Sequence, residues 1–449
     1  MSKGTFIKGT AVTFTSGIIK LLIGVGTSVV LARVLGPEGR GVYALAMLLP
    51  SLIVTFCNLG IGSATVYYVA CKEFRCQEIL GNNILISVGT GGVGILAGLV
   101  VVFFFGKTVF PGVPTNYLLL ALVLVPIEMF FSYVIYVLLG AQRIKEFNYI
   151  QIVQSIIFLG FIVLALLGLR AGVSGAILAV LLTWLIVDVL VFYLVKRVAG
   201  GMDLRPNISY MKQAATYGAQ VYLGNNLWFL NLRVDMFFVS GFLGSAAAGL
   251  YSVGVGLVEK LGMVPQAAST VLFPRVAAEA KEQRQKEFTP LVARTVLWVT
   301  AAGALVMVLF SRWIILFLYS EAFLPAVSAL QALLVGTVAL SASQVLFNDI
   351  AGRGHPILNI YAGLLSLIVN IILNIVWIPK HGIIGAAWAS TVSYSVNMLA
   401  TLLLYCRLSG NRWTKILLPQ RGDWTLYWRT GLALGNWMKE KVRVALQRD

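Results

Sequence analysis

The chain has 449 residues, 59% of them hydrophobic and only 11% charged, with a mean hydropathy of +0.88 and a net charge of +17. A soluble domain carries about 25% charged residues, so this composition excludes a set of water-soluble domains and leaves one membrane-embedded unit. The positive charge lies between apolar runs, where membrane topology accounts for it, and no nucleic acid partner is expected.

A helix needs about 20 apolar residues to cross the hydrocarbon core, and only a helix satisfies its own backbone there. Runs of that length fall at 9–34, 41–69, 81–106, 116–139, 148–169, 173–195, 214–241, 247–272, 291–310, 326–349, 357–378 and 383–406. They predict an all-α polytopic membrane protein with about 12 transmembrane helices. The first run is too long for a signal peptide and lacks a small-x-small cleavage site, so it reads as a retained helix. With the N-terminus inside, the inner segments hold 24 Lys and Arg, the outer loops hold 6 (Arg33, Arg40, Lys107, Arg170, Arg312 and Lys380), and four more lie within spans. This bias places both termini in the cytoplasm. Asp349 and Arg294 read as solvated or anchoring residues at inner helix ends.

Cysteines 57, 71, 76 and 406 read as reduced thiols. With only two histidines, no metal site or cofactor is expected. Every outer loop is short, which disfavours a membrane polymerase or glycosyltransferase, because such a site is presented on loops. In the tail, Trp424, Leu426, Trp428, Leu432, Leu434 and Trp437 alternate with Arg429, Lys439, Lys441 and Arg443, the pattern of a helix lying on the inner membrane surface.

The chain repeats itself. Leu35, Gly36, Gly41, Val42 and Tyr43 recur as Leu243, Gly244, Gly249, Leu250 and Tyr251, an offset of 208. Gly172, Gly175, Ala176 and Ala179 recur as Gly382, Gly385, Ala386 and Ala389, an offset of 210, and Arg143 pairs with Arg353 at the same offset. A repeat of six spans keeps its orientation, so two six-helix lobes related by a pseudo-two-fold along the membrane normal are expected, with a substrate site between them. The boundaries read as 1–197 for the N-terminal lobe, 198–212 for a cytoplasmic linker, 213–407 for the C-terminal lobe and 408–449 for the basic tail.

Charges inside a span are costly, about 2.5–3.5 kcal/mol each at the centre, and usually face a cavity or one another. Lys20, Glu128, Asp188, Arg233, Asp235, Glu259 and Lys260 lie near mid-span. Lys20 shares a helix side with Thr13, Ser16, Gly17, Gly24 and Thr27, and it lies ~21 Å below the outer end of its run. Lys260 lies ~20 Å and Arg233 ~14 Å below theirs. A cationic cavity follows, unless Glu259 and Asp235 neutralise these cations. On the seventh span, Gln220, Asn231 and Asp235 share one side, while Tyr222, Asn226 and Arg233 lie nearly opposite. Asn226, Asn231 and Trp228 suit sugar hydroxyls and ring faces, although interhelical hydrogen bonding explains the amides equally well. Asp188, Glu128, Asp235 and Glu259 are the candidates for coupling to protons or sodium.

The segment Ala32-Arg33-Val34-Leu35-Gly36-Pro37-Glu38-Gly39-Arg40-Gly41-Val42-Tyr43-Ala44 resembles the polysaccharide transporter family of bacterial flippases. So do Val234-Asp235, Gly241, Leu243-Gly244 and Gly249-Leu250-Tyr251-Ser252. This family belongs to the multidrug, oligosaccharidyl-lipid and polysaccharide exporter superfamily. The resemblance implies a multi-pass protein of the bacterial plasma (inner) membrane. Such a protein flips polyprenyl-diphosphate-linked oligosaccharide to the outer leaflet through a V-shaped cavity that alternates sides. It implies Lys20, Arg233 and Lys260 as diphosphate contacts, an H+ or Na+ antiport, membrane lipid around the helices, and polysaccharide polymerase or assembly proteins as partners. An organic-cation exporter of the same fold and a lipid II-type flippase remain as alternatives. The first favours acidic cavity residues, and the second usually has 14 spans.

Overall fold

The computed structural model describes residues 3–263, 265, 282–420 and 423, with side chains from residue 15 onward apart from 220, 221, 223–225, 282–286 and 356. The amphipathic segment expected after Asp423 and the side chains of Thr13, Gln220 and Asn225 lie outside these residues. The helices in chain order are α1 (Lys3–Cys57), α2 (Ile61–Cys71), α3 (Cys76–Val109), α4 (Thr115–Gly140), α5 (Ile144–Gly168) and α6 (Gly172–Ala199). They are followed by α7 (Ile208–Leu261), α8 (Glu282–Leu318), α9 (Ala326–Gly352), α10 (Pro356–Ser409) and the short α11 (Trp413–Leu417). Among the described residues, nine helices are long and apolar enough to cross a membrane. Their outer faces carry Phe103, Phe104, Tyr193, Trp313 and Phe317, all exposed, as a lipid-facing surface requires.

Three helices are far longer than one crossing. α1, α7 and α10 have 55, 54 and 54 residues. Each contains one residue with non-helical backbone: Gly36 (φ 66, ψ −179), Gly244 (φ 83, ψ −179) and Gly382 (φ 61, ψ −144). The sequence suggested loops at these points. The chain instead reverses at a single glycine, in a conformation that side chains rarely permit. Gly36 and Gly244 are the repeat-equivalent pair. Gly172, the equivalent of Gly382, has a matching φ of 60 where α5 gives way to α6. The run expected at 41–69 is itself divided, because Leu59 and Gly60 adopt left-handed backbone (φ 51 and 68) between α1 and α2.

The fold has two lobes, and α1 and α7 pack closely where they meet. At the end marked by the Gly36 and Gly244 kinks, a Cβ on Gly41 would overlap the Ser245 carbonyl, and a Cβ on Gly249 would overlap the Pro37 carbonyl. These two contacts are each other's image under the repeat, so the seam is symmetric. Buried residues of both lobes merge beneath it, among them Leu45, Leu49, Val239, Tyr251 and Leu330. Toward the opposite end, Gly60 and Gly218 approach just as closely, and Tyr222 donates to the Phe56 carbonyl.

Two features modify the expected picture at that opposite end. The first part of α7 packs with the N-terminal helices: Tyr210 and Ala214 are buried with Ile61, Tyr68 and Tyr133, and Tyr67 stacks on Tyr217 at 4.9 Å. Asp349 and Arg294 are buried rather than solvated. Asp349 accepts from the Thr289 hydroxyl and the Arg353 guanidinium. Arg294 forms a two-bond clamp on Asp423 (2.6 and 2.6 Å) and also donates to the Lys415 carbonyl at 3.0 Å. The segment carrying α11 folds back over the end of α8 and removes Arg294 from water.

Candidate functional site

A cavity of about 330 Å³ lies between the lobes. Its walls come from α1 (Gly24, Thr27, Ser28), the start of the helix after Gly36 (Arg40, Tyr43), α5 (Ser155, Phe158), α7 (Glu259, Lys260) and Tyr319 after α8. It therefore lies directly beneath the glycine seam, where four helices diverge from one vertex.

Lys20 and Lys260 are placed by that vertex. Lys20 precedes Gly36 by 16 residues and Lys260 follows Gly244 by 16. Two helices descending from touching kinks thus carry a lysine each at the same depth, ~24 Å down. The Lys260 Nζ lies 3.3 Å from where a Cβ on Gly24 would be, so the absence of a side chain at Gly24 leaves room for the amine beside α1. Lys20, one turn from Gly24, donates to the Gln151 amide oxygen at 2.5 Å. Among the described residues neither lysine has a carboxylate partner. Gln151 is a site residue that the sequence reading missed. Its signal is an amide, flanked by Asn148 and Gln154, in the otherwise apolar run of α5.

Arg233 behaves differently. Its guanidinium pairs with Glu259 at 2.7 Å and lies over the Phe229 ring at 5.9 Å. The neutralising partner is Glu259, not the nearer-in-sequence Asp235, so in this conformation Arg233 adds no free charge to the cavity.

Arg40 is the addition the sequence did not offer. It was expected in an outer loop, but no loop exists there. Its guanidinium instead lines the cavity, over the Tyr43 ring at 5.7 Å. Its Nε is buried and has no hydrogen-bond acceptor among the described residues. Its neighbour Arg33 is satisfied by the carbonyls of Phe317 and Leu318, the latter at 2.9 Å. On the facing wall the hydroxyls of Ser28 and Tyr319 lie 3.3 Å apart.

The amides of α7 divide as the helix geometry required. Asn231 is buried within the C-terminal lobe, bonded to Ser366 (2.9 Å), Ser393 (3.0 Å) and Asn370 (3.1 Å). Asp235 continues that network, accepting from the Tyr251 hydroxyl, Ser390 (3.0 Å) and the Met236 amide (2.9 Å). Interhelical bonding accounts for both. Asn226 turns back on the Tyr222 carbonyl at 3.0 Å, and Trp228 is half-buried. None of these four lines the cavity.

Glu128 on α4 and Asp188 on α6 lie close enough to act on one another electrostatically; neither lines the cavity, though Glu128 also acts on Tyr43 in its wall. One Asp188 oxygen is buried without a hydrogen-bond partner. Among the described residues no three metal-ligating side chains come together.

The charged lining of the cavity is thus Arg40 and Lys260 against Glu259, with Glu259 neutralised by Arg233 and Lys20 one turn below. The wall therefore carries more positive than negative charge. Comparison with known proteins agrees with a transport fold. Residues 6–279 match the family described as "Polysaccharide biosynthesis protein", and residues 222–376 match the family described as MatE. A Shigella flexneri protein provisionally named an O-antigen transporter is 23% identical over 408 residues, 87% of this chain and 95% of the other. An uncharacterised membrane protein of Methanocaldococcus jannaschii is 26% identical over 212 residues, 45% of this chain. The chain spans only 42% of that archaeal relative's length. The lipid II flippase MurJ, in an inward closed conformation, superposes with a TM-score of 0.72 at 17% identity over 89% of this chain and 87% of its own. Because the first match takes in more than half of the 449 residues, the chain belongs to the polysaccharide biosynthesis protein family, within the multidrug, oligosaccharidyl-lipid and polysaccharide exporter superfamily of membrane transporters.

Proposed function

We propose that this protein flips polyprenyl-diphosphate-linked oligosaccharide from the cytoplasmic to the outer leaflet of the bacterial plasma membrane, by alternating access. α1, α7 and α10, divided at their kink glycines, then supply two crossings each. The termini and the 198–212 linker face the cytoplasm, the glycine seam faces outward, and the lobes are residues 1–197 and 213–407.

One observation carries the reading. Lys20 and Lys260 stand at one depth beside a cavity between the lobes, and among the described residues neither is ion-paired, the nearby Glu259 being taken by Arg233. Uncompensated cations at mid-membrane are costly. A diphosphate offers the compensating charge and leaves the glycan in the polar lumen and the polyprenyl chain in lipid. An organic-cation exporter would place its unpaired charge the other way, on carboxylates.

Coupling to H+ or Na+ is assigned to the carboxyl groups that lie within the lobes, Asp235 with its Tyr251–Ser390 network and the Asp188–Glu128 pair. Glu259 acts as the gate charge on Arg233. A glycan polymerase or assembly protein would take the product at the outer face. The test is passage of a fluorescent polyprenyl-diphosphate disaccharide in proteoliposomes. Lys20→Gln and Lys260→Gln should each slow it by about tenfold or more, in line with loss of a charge-assisted contact. Wild-type passage in both variants would sink the reading, and so would efflux of an organic cation by a protein that leaves the glycolipid unmoved.

A further inference from the structure

We propose that Arg40 is a second anion-binding station, placed immediately beneath the outer seam, which receives the diphosphate after the Lys20–Lys260 level and before release. This rests on the flippase reading and adds to it a defined stop on the exit side.

The first support is position. Arg40 follows Gly36 by four residues, ~6 Å below the kink, while Lys260 lies ~24 Å below its own. Both line the same cavity, so its two ends are each marked by a cation. Gly41, whose Cα rests on the Ser245 carbonyl, is the next residue along. Any movement that parts the seam therefore exposes Arg40 first.

The second support is chemistry. Arginine stays charged, and a buried charge is tolerated when paired. Among the described residues other arginines follow that rule: Arg233 takes Glu259, Arg294 takes Asp423, Arg353 takes Asp349 through its Nε, and the exposed Arg33 takes two carbonyls. Arg40 takes none. Among the described residues the titratable side chains that act on it are Tyr43 and Tyr319, and neither is a carboxylate. An arginine that served only to pin helices would have acceptors. Tyr43 instead holds the guanidinium by its ring face and leaves the donor fork free, the geometry suited to two oxygens of a phosphate. The hydroxyls of Tyr319 and Ser28, bonded to one another, line the same cavity and leave one proton to donate.

The experiment separates loading from passage. Proteoliposomes of the full chain receive the fluorescent polyprenyl-diphosphate disaccharide over a concentration range, and the half-saturating concentration and maximal rate are read for each variant. Arg40→Gln should lower the maximal rate about tenfold or more and move half-saturation by less than about threefold, whereas Lys20→Gln should chiefly raise half-saturation. Arg40→Lys, which keeps the charge, should recover most of the rate. Wild-type passage by Arg40→Gln would overturn the station and leave the flippase reading intact. So would a loss that Arg40→Lys does not relieve, which marks a packing role. No passage by the wild-type protein would overturn the flippase reading itself, and the station with it.

Discussion

Gly41 and Gly249 occupy equivalent places in the two repeats, and each lies against the backbone of the other's turn: Gly41 on Ser245, Gly249 on Pro37. Contacts exchanged in this way put the pseudo-two-fold through the seam. Glycine is needed there because the neighbouring atoms are main chain and cannot turn aside. Small residues at such crossings let helices in a membrane approach closely.

Gly249→Val should therefore force the seam apart. Overpacking of this kind typically costs about 1–3 kcal/mol, and a bound state that requires a closed seam should be lost. Gly89 on α3 has open space around its Cβ direction, so Gly89→Ala is the control and should be neutral or slightly stabilising. Thermal unfolding in detergent, together with the labelling rate of a Ser28→Cys reporter from the outer side, reads both effects. Slow labelling and an unchanged midpoint in Gly249→Val would refute the seam as a closure.

Glu259→Gln removes the carboxylate that occupies Arg233 and raises the cavity's charge by one. The pair is partly exposed, 30% for Arg233 and 41% for Glu259, so screening keeps the effect modest. Inorganic pyrophosphate binding to the purified protein should tighten by about two- to fivefold and become more sensitive to salt. Unchanged or weaker binding would show that Arg233 does not turn toward the anion when freed.

The spans and the repeat were legible because both are written in short patterns: apolar runs of bilayer length, and glycines at a constant offset. Arg40 was not. In sequence it stands in a Pro- and Gly-rich segment that has the composition of an outer loop, and composition does not distinguish a loop from a reversal at one residue. The partner of Arg233 was equally hidden, since Glu259 is 26 positions away and meets it only because α7 folds back at Gly244. The mid-membrane depth of Lys20 and Lys260 could be counted from the chain, but Gln151 had no pattern to announce it. Arg294 looked solvated because the segment that covers it returns from beyond α10, and Asp349 because its partner Thr289 lies 60 positions away on α8.

Tyr251→Phe tests the buried network. It removes the hydroxyl that donates to Asp235, leaving that oxygen with Ser390 alone. A hydrogen bond to a buried carboxyl group of this kind is worth about 1.5–3 kcal/mol, and thermal unfolding should report a loss of that order. In an Asp235→Asn background the same change should cost measurably less, because the two residues are coupled. Strictly additive costs would mean that the pair contributes through packing and not through the bond.

Asp423 supplies a pH test outside the membrane. Its two hydrogen bonds from Arg294 hold the carboxyl below its ordinary value. A carboxyl depressed in the folded state stabilises the docked segment above the unfolded value of about 4, and that contribution is lost only as pH falls through the folded value. Hydrogen exchange of residues 413–420, corrected for the intrinsic rate, should thus show constant protection from about pH 5 to 8 and a decline below about pH 4. Asp423→Asn should lose the protection at neutral pH, because it leaves the Arg294 guanidinium, exposed by only 9%, without its counter-charge. The Trp298 indole, which donates to the Leu417 carbonyl at 3.0 Å, and the Arg294 bond to the Lys415 carbonyl would then remain as ties between α8 and the returning segment. A protection that already falls between pH 7 and 5 would assign the docking to some group other than Asp423.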